Sequence, residues 1–125
     1  MSKKILIVED EILLSDLLKM NLKEAGFEVE TAYDGKEGLE KAKSFLPDLI
    51  LLDLIMPVLD GYQVLQEMQK DPVLEKIPVI VLSNLGQEEE IAKAKRLGAK
   101  DFIIKANLDI SELKHIIENF FLSKS

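Results

Sequence analysis

The chain has 125 residues, no cysteine, 47% hydrophobic residues and a formal net charge of −7. Its length suits a single domain spanning residues 1–125 with a sizeable core, and no apolar run approaches the ~20 residues of a membrane span. Without cysteine there are no disulfides or thiolate metal sites. Since the N-terminal apolar run is also too short for a signal peptide, a cytoplasmic location is expected. The negative charge argues against direct nucleic-acid binding by this chain.

Short apolar runs alternate with amphipathic stretches along the chain. The runs are Ile5–Val8, Val29–Ala32, Leu49–Leu52, Val79–Leu82 and Phe102–Ile104. Continuous apolar runs of this length are typical of parallel strands that are covered on both faces. Helices are predicted at about Glu11–Ala25, from Asp34 to before Pro47, after Asp60–Gly61, at about Gln87–Leu97 and from Asp109, with capping boxes at Asp34–Glu37 and Asp109–Glu112. The pattern predicts one doubly wound α/β domain.

Polar residues directly follow four of the five predicted strands. They are Glu9 and Asp10, Asp53, Ser83, and Lys105. Because the carboxyl ends of parallel strands share one edge of a sheet, we expect these side chains to lie together. Clustered carboxylates suit a hard cation such as Mg²⁺, a carboxylate can accept a phosphoryl group, and a lysine can bind phosphate oxygens. Two simpler interpretations stay open, namely helix caps at each position or a bare Mg²⁺ or anion site.

Four segments, "ILIVEDE", "LLDLIMPVLDG", "VIVLSN" and "GAKDFIIKA", closely resemble the receiver domain of two-component response regulators in sequence and spacing. The resemblance implies a flavodoxin-like fold with five helices and a five-stranded parallel sheet in the order 2-1-3-4-5. It also implies that Asp53 accepts a phosphoryl group from the phosphohistidine of a sensor histidine kinase or phosphotransfer protein. Glu9, Asp10, Asp53 and the backbone carbonyl of Ile55 would then hold Mg²⁺.

The same resemblance assigns roles to residues on the later strands. Lys105 and Ser83 would contact the phosphoryl group, and Ser83 and Phe102 would act as switch residues. Phosphorylation would alter the face formed by the fourth helix, fifth strand and fifth helix, where a downstream protein binds. Apolar Ile55 and Leu85 flank the expected path of attacking water, so autodephosphorylation should be slow. The resemblance further implies a monomer or a weak phosphorylation-dependent dimer, with no membrane contact and no conventional enzymatic activity.

Two residues depart from the family pattern. Ala106 follows Lys105 where a proline is usual, and the sequence leaves the isomer of that peptide bond open; Asn84 follows Ser83 where the family favours a very small residue. Alternative functions are a non-signalling flavodoxin-like scaffold or interaction module, and an aspartyl-phosphate hydrolase. The hydrolase would usually need a second acid at position 55, where this chain has isoleucine.

Overall fold

A computed structural model describes residues 2–123, which contain a five-stranded parallel sheet. The strands are β1 Lys4–Val8, β2 Glu28–Ala32, β3 Leu49–Leu52, β4 Val79–Ser83 and β5 Asp101–Ile104. Their order is β2-β1-β3-β4-β5, and every neighbouring pair is parallel. The predicted fold class and strand order are therefore confirmed, and each observed strand differs from its predicted run by at most one residue at an end.

Five α-helices and two short 3₁₀ helices connect the strands. The α-helices are α1 Ile12–Glu24, α2 Gly35–Phe45, α3 Gly61–Gln69, α4 Glu88–Arg96 and α5 Ile110–Leu122; the 3₁₀ helices are Leu74–Lys76 and Lys105–Asn107. Helices α1 and α5 pack on one face of the sheet and α2, α3 and α4 on the other. None of the helices within residues 2–123 is long and apolar enough to cross a lipid bilayer.

Alternate side chains of the central strands enter two separate cores. In β1, Ile5 and Ile7 join the core beneath α1 and α5, whereas Leu6 and Val8 join the core beneath α2, α3 and α4. Central strands β3 and β4 are buried along their whole length, while the edge strands β2 and β5 contain exposed or half-buried residues. The expectation of strands covered on both faces therefore holds for the centre of the sheet and fails at its edges.

The helix termini confirm one predicted cap and correct two details. Asp34 accepts a hydrogen bond from the backbone N–H of Glu37 at 2.8 Å, as predicted for the N-cap of α2. The Glu37 carboxylate reaches one residue further back and binds the N–H of Tyr33. The predicted capping box at the start of α5 is wrong, because Asp109 binds the N–H and hydroxyl of Ser111.

Candidate functional site

Three carboxylates meet at the carboxyl edge of the sheet. Glu9 follows β1 and Asp53 follows β3, and because Val8 pairs with Leu52 these acids lie side by side. Both are buried, with exposed fractions of 2% and 5%, whereas Asp10 is exposed. One oxygen from each of the three carboxylates lies within 4.8 Å of the others. The sequence prediction that these side chains converge is confirmed by this geometry.

Lys105 provides a positive charge within this cluster. Its Nζ lies 2.7 Å from Glu9 Oε1, 2.8 Å from Asp53 Oδ2 and 3.2 Å from Glu11 Oε2. Burial disfavours the charged ammonium, but the hydrogen bonds to Asp53 and Glu9 outweigh that cost and raise the pKa of Lys105. The lysine therefore remains protonated and bridges two buried acids.

Glu11 joins the site although its position in the sequence predicts only the start of a helix. Its backbone N–H donates to Glu9 Oε2 at 3.0 Å, and its exposed carboxylate contacts Lys105. The run of three acids in "VEDE" was the available signal. That signal did not identify which of the acids would face the lysine, because the first turn of α1 decides the direction of each side chain.

Glu9 is a buried acid with a raised pKa. Burial raises the pKa of Glu9 from 4.5 to about 7, although contacts with Lys105 and the N–H of Glu11 act in the opposite direction and the charge of Asp53 adds to the increase. Glu9 Oε1 is buried, and the ammonium that it faces is shared with Asp53 and Glu11. Three converging carboxylates that share one ammonium fit a hard divalent cation.

The polar residue at the end of β4 lies deeper than the acids. Ser83 is fully buried, and its hydroxyl accepts a weak hydrogen bond from the N–H of Leu85 at 3.4 Å. Leu85 is half-buried and packs against the core beneath α2, α3 and α4. The hydroxyl is therefore engaged within its own loop in this conformation.

Two of the predicted residues have apolar side chains that take no part in the carboxylate and lysine contacts described above. Ile55 has an exposed side chain, and its N–H donates to Asp53 Oδ1 at 3.3 Å. Phe102 is half-buried on β5 and packs against the same core as Leu85. The contribution of the Ile55 carbonyl to metal binding stays a prediction.

The two departures from the family pattern are in contact with each other. The N–H of Ala106 donates to Asn84 Oδ1 at 2.9 Å. No peptide bond within residues 2–123 is cis, so the Lys105–Ala106 bond is trans. This answers the question that the sequence left open, and it shows a loop-to-loop contact that sequence reasoning missed.

Comparison with known proteins agrees with this arrangement. Residues 5–118 match the family model of the response regulator receiver domain. Over 110 residues the chain is 39% identical to the DNA-binding dual master transcriptional regulator RpaA of Synechocystis. The aligned region covers 88% of this chain but only 45% of RpaA. The chain thus spans less than half of the length of that relative.

Solved structures cover the chain almost completely. The receiver domain of the Francisella response regulator 1452 has a TM-score of 0.89 at 28% identity and covers 99% of this chain and 100% of its own. The phosphorylated cyanobacterial phytochrome response regulator RcpA has a TM-score of 0.82 at 37% identity, with coverage of 100% and 97%. Receiver domains are phosphoacceptors that interact with histidine kinases and downstream effectors, and they are not conventional enzymes. The chain belongs to the response regulator receiver domains and functions in phosphorylation-dependent signalling.

Proposed function

We propose that residues 1–125 form one receiver domain in which Asp53 accepts a phosphoryl group from a phosphohistidine. The observation that most directly supports this proposal is that Asp53 Oδ2 lies 2.8 Å from Lys105 Nζ within the cluster of carboxylates. A new bond forms between phosphorus and an Asp53 oxygen as the phosphorus–nitrogen bond of the donor breaks. The lysine ammonium then balances the charge of the incoming phosphoryl oxygens.

Mg²⁺ is the cofactor that we propose for this reaction. Glu9, Asp10 and Asp53 would hold it together with the Ile55 carbonyl, and the convergence of the three carboxylates supports that assignment. When bound, the cation neutralises charge on the acids and on the phosphoryl group. The chain's own contribution is to hold Asp53 rigidly at the end of a buried strand and to keep Lys105 charged.

Mass spectrometry after treatment with acetyl phosphate tests this proposal directly. The wild type should gain one phosphoryl group in the presence of Mg²⁺ and little in the presence of a chelator. Asp53→Asn should abolish the gain, because an amide oxygen is a poor nucleophile. Asp48→Asn is the matched control, since Asp48 precedes the same strand and is exposed. Undiminished labelling of Asp53→Asn would assign the acceptor role to another residue.

Ser83 and Phe102 are proposed as the residues that communicate phosphorylation to the α4–β5–α5 face. The phosphoryl oxygens would draw the Ser83 hydroxyl away from the N–H of Leu85, and Phe102 would follow into the space beside the loop. The weak 3.4 Å bond supports this step, since little is lost when the hydroxyl changes partner. A downstream protein that prefers the altered face would complete the signal.

The phosphodonor protein is proposed to dock beside α1. Four apolar side chains on this helix are at least 49% exposed, namely Ile12, Leu13, Leu17 and Met20. They extend from the acid cluster along the outer surface of the helix. A sensor histidine kinase or phosphotransfer protein that covers them would bring its phosphohistidine to Asp53. We further propose that this exchange occurs in the cytoplasm and that the protein is a monomer or a weak phosphorylation-dependent dimer.

We further propose that the domain catalyses its own phosphorylation from small donors and loses the phosphoryl group slowly. Ile55 has no polar group that could orient attacking water, and its side chain is 58% exposed next to Asp53. Ile55→Asn should therefore accelerate the loss of label measured over time. Val58→Asn is the matched control in the same loop, where the positive φ of 72° tolerates asparagine. Equal decay in both variants would contradict the proposal.

A further inference from the structure

The loops that follow β4 and β5 are joined by one side chain. Asn84 Oδ1 accepts a hydrogen bond from the N–H of Ala106 at 2.9 Å. The last paired residues of the two strands are Ser83 and Ile104, so this bond continues the contact beyond the sheet. Ala106 lies in the first turn of the 3₁₀ helix Lys105–Asn107, where backbone N–H groups have no helical partner. Asn84 supplies the acceptor that the helix lacks.

A second contact holds the same two segments together. Gly86 packs so closely against β5 that a Cβ at this position would lie 2.7 Å from Ile104 Cδ1. Ser83 is bound within the loop through its hydrogen bond from the N–H of Leu85. The β4–α4 loop is therefore fixed to β5 by packing and to the segment after β5 by the Asn84 amide.

This hydrogen bond needs both of the unusual residues. A proline at position 106 has no N–H to donate, and a glycine or alanine at position 84 has no side-chain acceptor. The two residues that depart from the family pattern are therefore the acceptor and the donor of one hydrogen bond.

We propose that Asn84 is a positioning residue that holds the backbones of Ser83 and Lys105 as one unit around the phosphoryl group; this rests on the proposed function. When the phosphoryl oxygens arrive, the ion pairs of Lys105 with Glu9 and Asp53 must rearrange. The bond to Ala106 does not involve the ammonium, so it keeps the lysine backbone in place during the rearrangement. Without it, both loops must be ordered when the anion binds, which weakens binding.

Titration with beryllofluoride, a stable mimic of the phosphoryl group, tests this role. In saturating Mg²⁺, Asn84→Ala should bind beryllofluoride about threefold to tenfold more weakly than wild type, as expected for one hydrogen bond. Its affinity for Mg²⁺ alone should not change, because the Asn84 side chain binds the backbone of Ala106 and is not one of the three carboxylates. Asn107→Ala is the matched control, since the Asn107 side chain makes no hydrogen bond or ion pair within residues 2–123.

Hydrogen exchange of the Ala106 amide in metal-free protein tests the bond itself. Exchange should be faster in Asn84→Ala than in wild type and slow again in Asn84→Asp, whose carboxylate can accept the same hydrogen bond. Unchanged exchange in Asn84→Ala, or faster exchange with unchanged beryllofluoride affinity, would overturn the positioning role. A wild type that does not bind beryllofluoride would overturn the proposed function and this inference with it.

Discussion

The two ends of the sheet use the same residue types in opposite ways. At the amino end, Asp48 is exposed and accepts a hydrogen bond from the N–H of Lys4 at 2.8 Å. At the carboxyl end, Asp53 is buried and pairs with the ammonium of Lys105 at 2.8 Å. Exposed charges contribute little to stability because water solvates them well. Buried charges must be compensated by the protein or by a ligand.

The carboxyl end of the sheet also contains more buried negative charge than positive charge. Glu9 and Asp53 are two buried acids that share one ammonium, and the pKa of Glu9 is raised to about 7 as a result of its burial. A fold that only needed stability would place apolar residues here, as it does along the strand interiors. The comparison therefore identifies the carboxyl end as the region where charged groups needed for a reaction are kept at the expense of folding stability.

Removal of the buried ammonium should have the largest effect. In metal-free protein at pH 8, Lys105→Met should lower the free energy of unfolding by about 3–5 kcal/mol, because it leaves two buried acids unpaired. Lys4→Met is the control at the amino end. Among residues 2–123, the Lys4 ammonium contacts the Phe45 carbonyl at 3.3 Å and the Phe45 ring, so its loss should cost about 1 kcal/mol.

Urea unfolding monitored by circular dichroism measures both variants under identical conditions. Added Mg²⁺ should restore part of the stability lost in Lys105→Met, because a ligand that binds only the folded state stabilises it. If both variants lost the same free energy of unfolding, the buried lysine would contribute no more to stability than the lysine at the amino end.

The sequence predicts the carboxyl end well where strands decide positions and poorly where loops do. Asp53 and Lys105 are predictable because each directly follows an apolar strand, and the parallel strands β3, β4 and β5 place both residues at the same edge of the sheet. Glu11 and the Asn84–Ala106 contact were missed, because the side-chain directions in a helix's first turn and in loops depend on tertiary packing. The Asp109 capping box failed for a similar reason, since the nearer Ser111 competed for the same carboxylate.

The pH dependence of stability should be the second-largest effect. The pKa of Glu9 is about 7 in the folded protein and near 4.5 when exposed, so the folded state binds the proton more tightly. Stability contributed by the protonated carboxyl is therefore lost as pH rises from about 5 through 7. In metal-free protein, the free energy of unfolding should fall by a few kcal/mol over this range.

Glu9→Gln provides the control for this titration. The amide has no proton to lose, so the variant should be more stable than wild type at pH 8 and show a flatter profile. Glu30→Gln, on the exposed face of the edge strand β2, should leave the wild-type profile intact. A wild-type profile that is flat between pH 5 and 8 would contradict the raised pKa.

The smallest expected difference concerns two glycines, one near each end of the sheet. A Cβ on Gly61 at the start of α3 would lie 2.4 Å from the Asp53 carbonyl oxygen, and this backbone atom cannot easily move. Gly61→Ala should cost about 1–3 kcal/mol through overpacking. It should also slow labelling by acetyl phosphate, because relief of the clash displaces the Asp53 backbone.

Gly26→Ala is the control for Gly61→Ala, because it introduces backbone strain without displacing Asp53. Gly26 follows the C-cap of α1, on the side of the amino end of the sheet, and has a φ of +94°. A Cβ there would meet no atom within 4 Å, so alanine is strained but not crowded. It should cost about 1 kcal/mol and leave labelling unchanged, because the strain is far from Asp53. If both variants lost stability but neither lost labelling, the position of Asp53 would not depend on its close packing against α3.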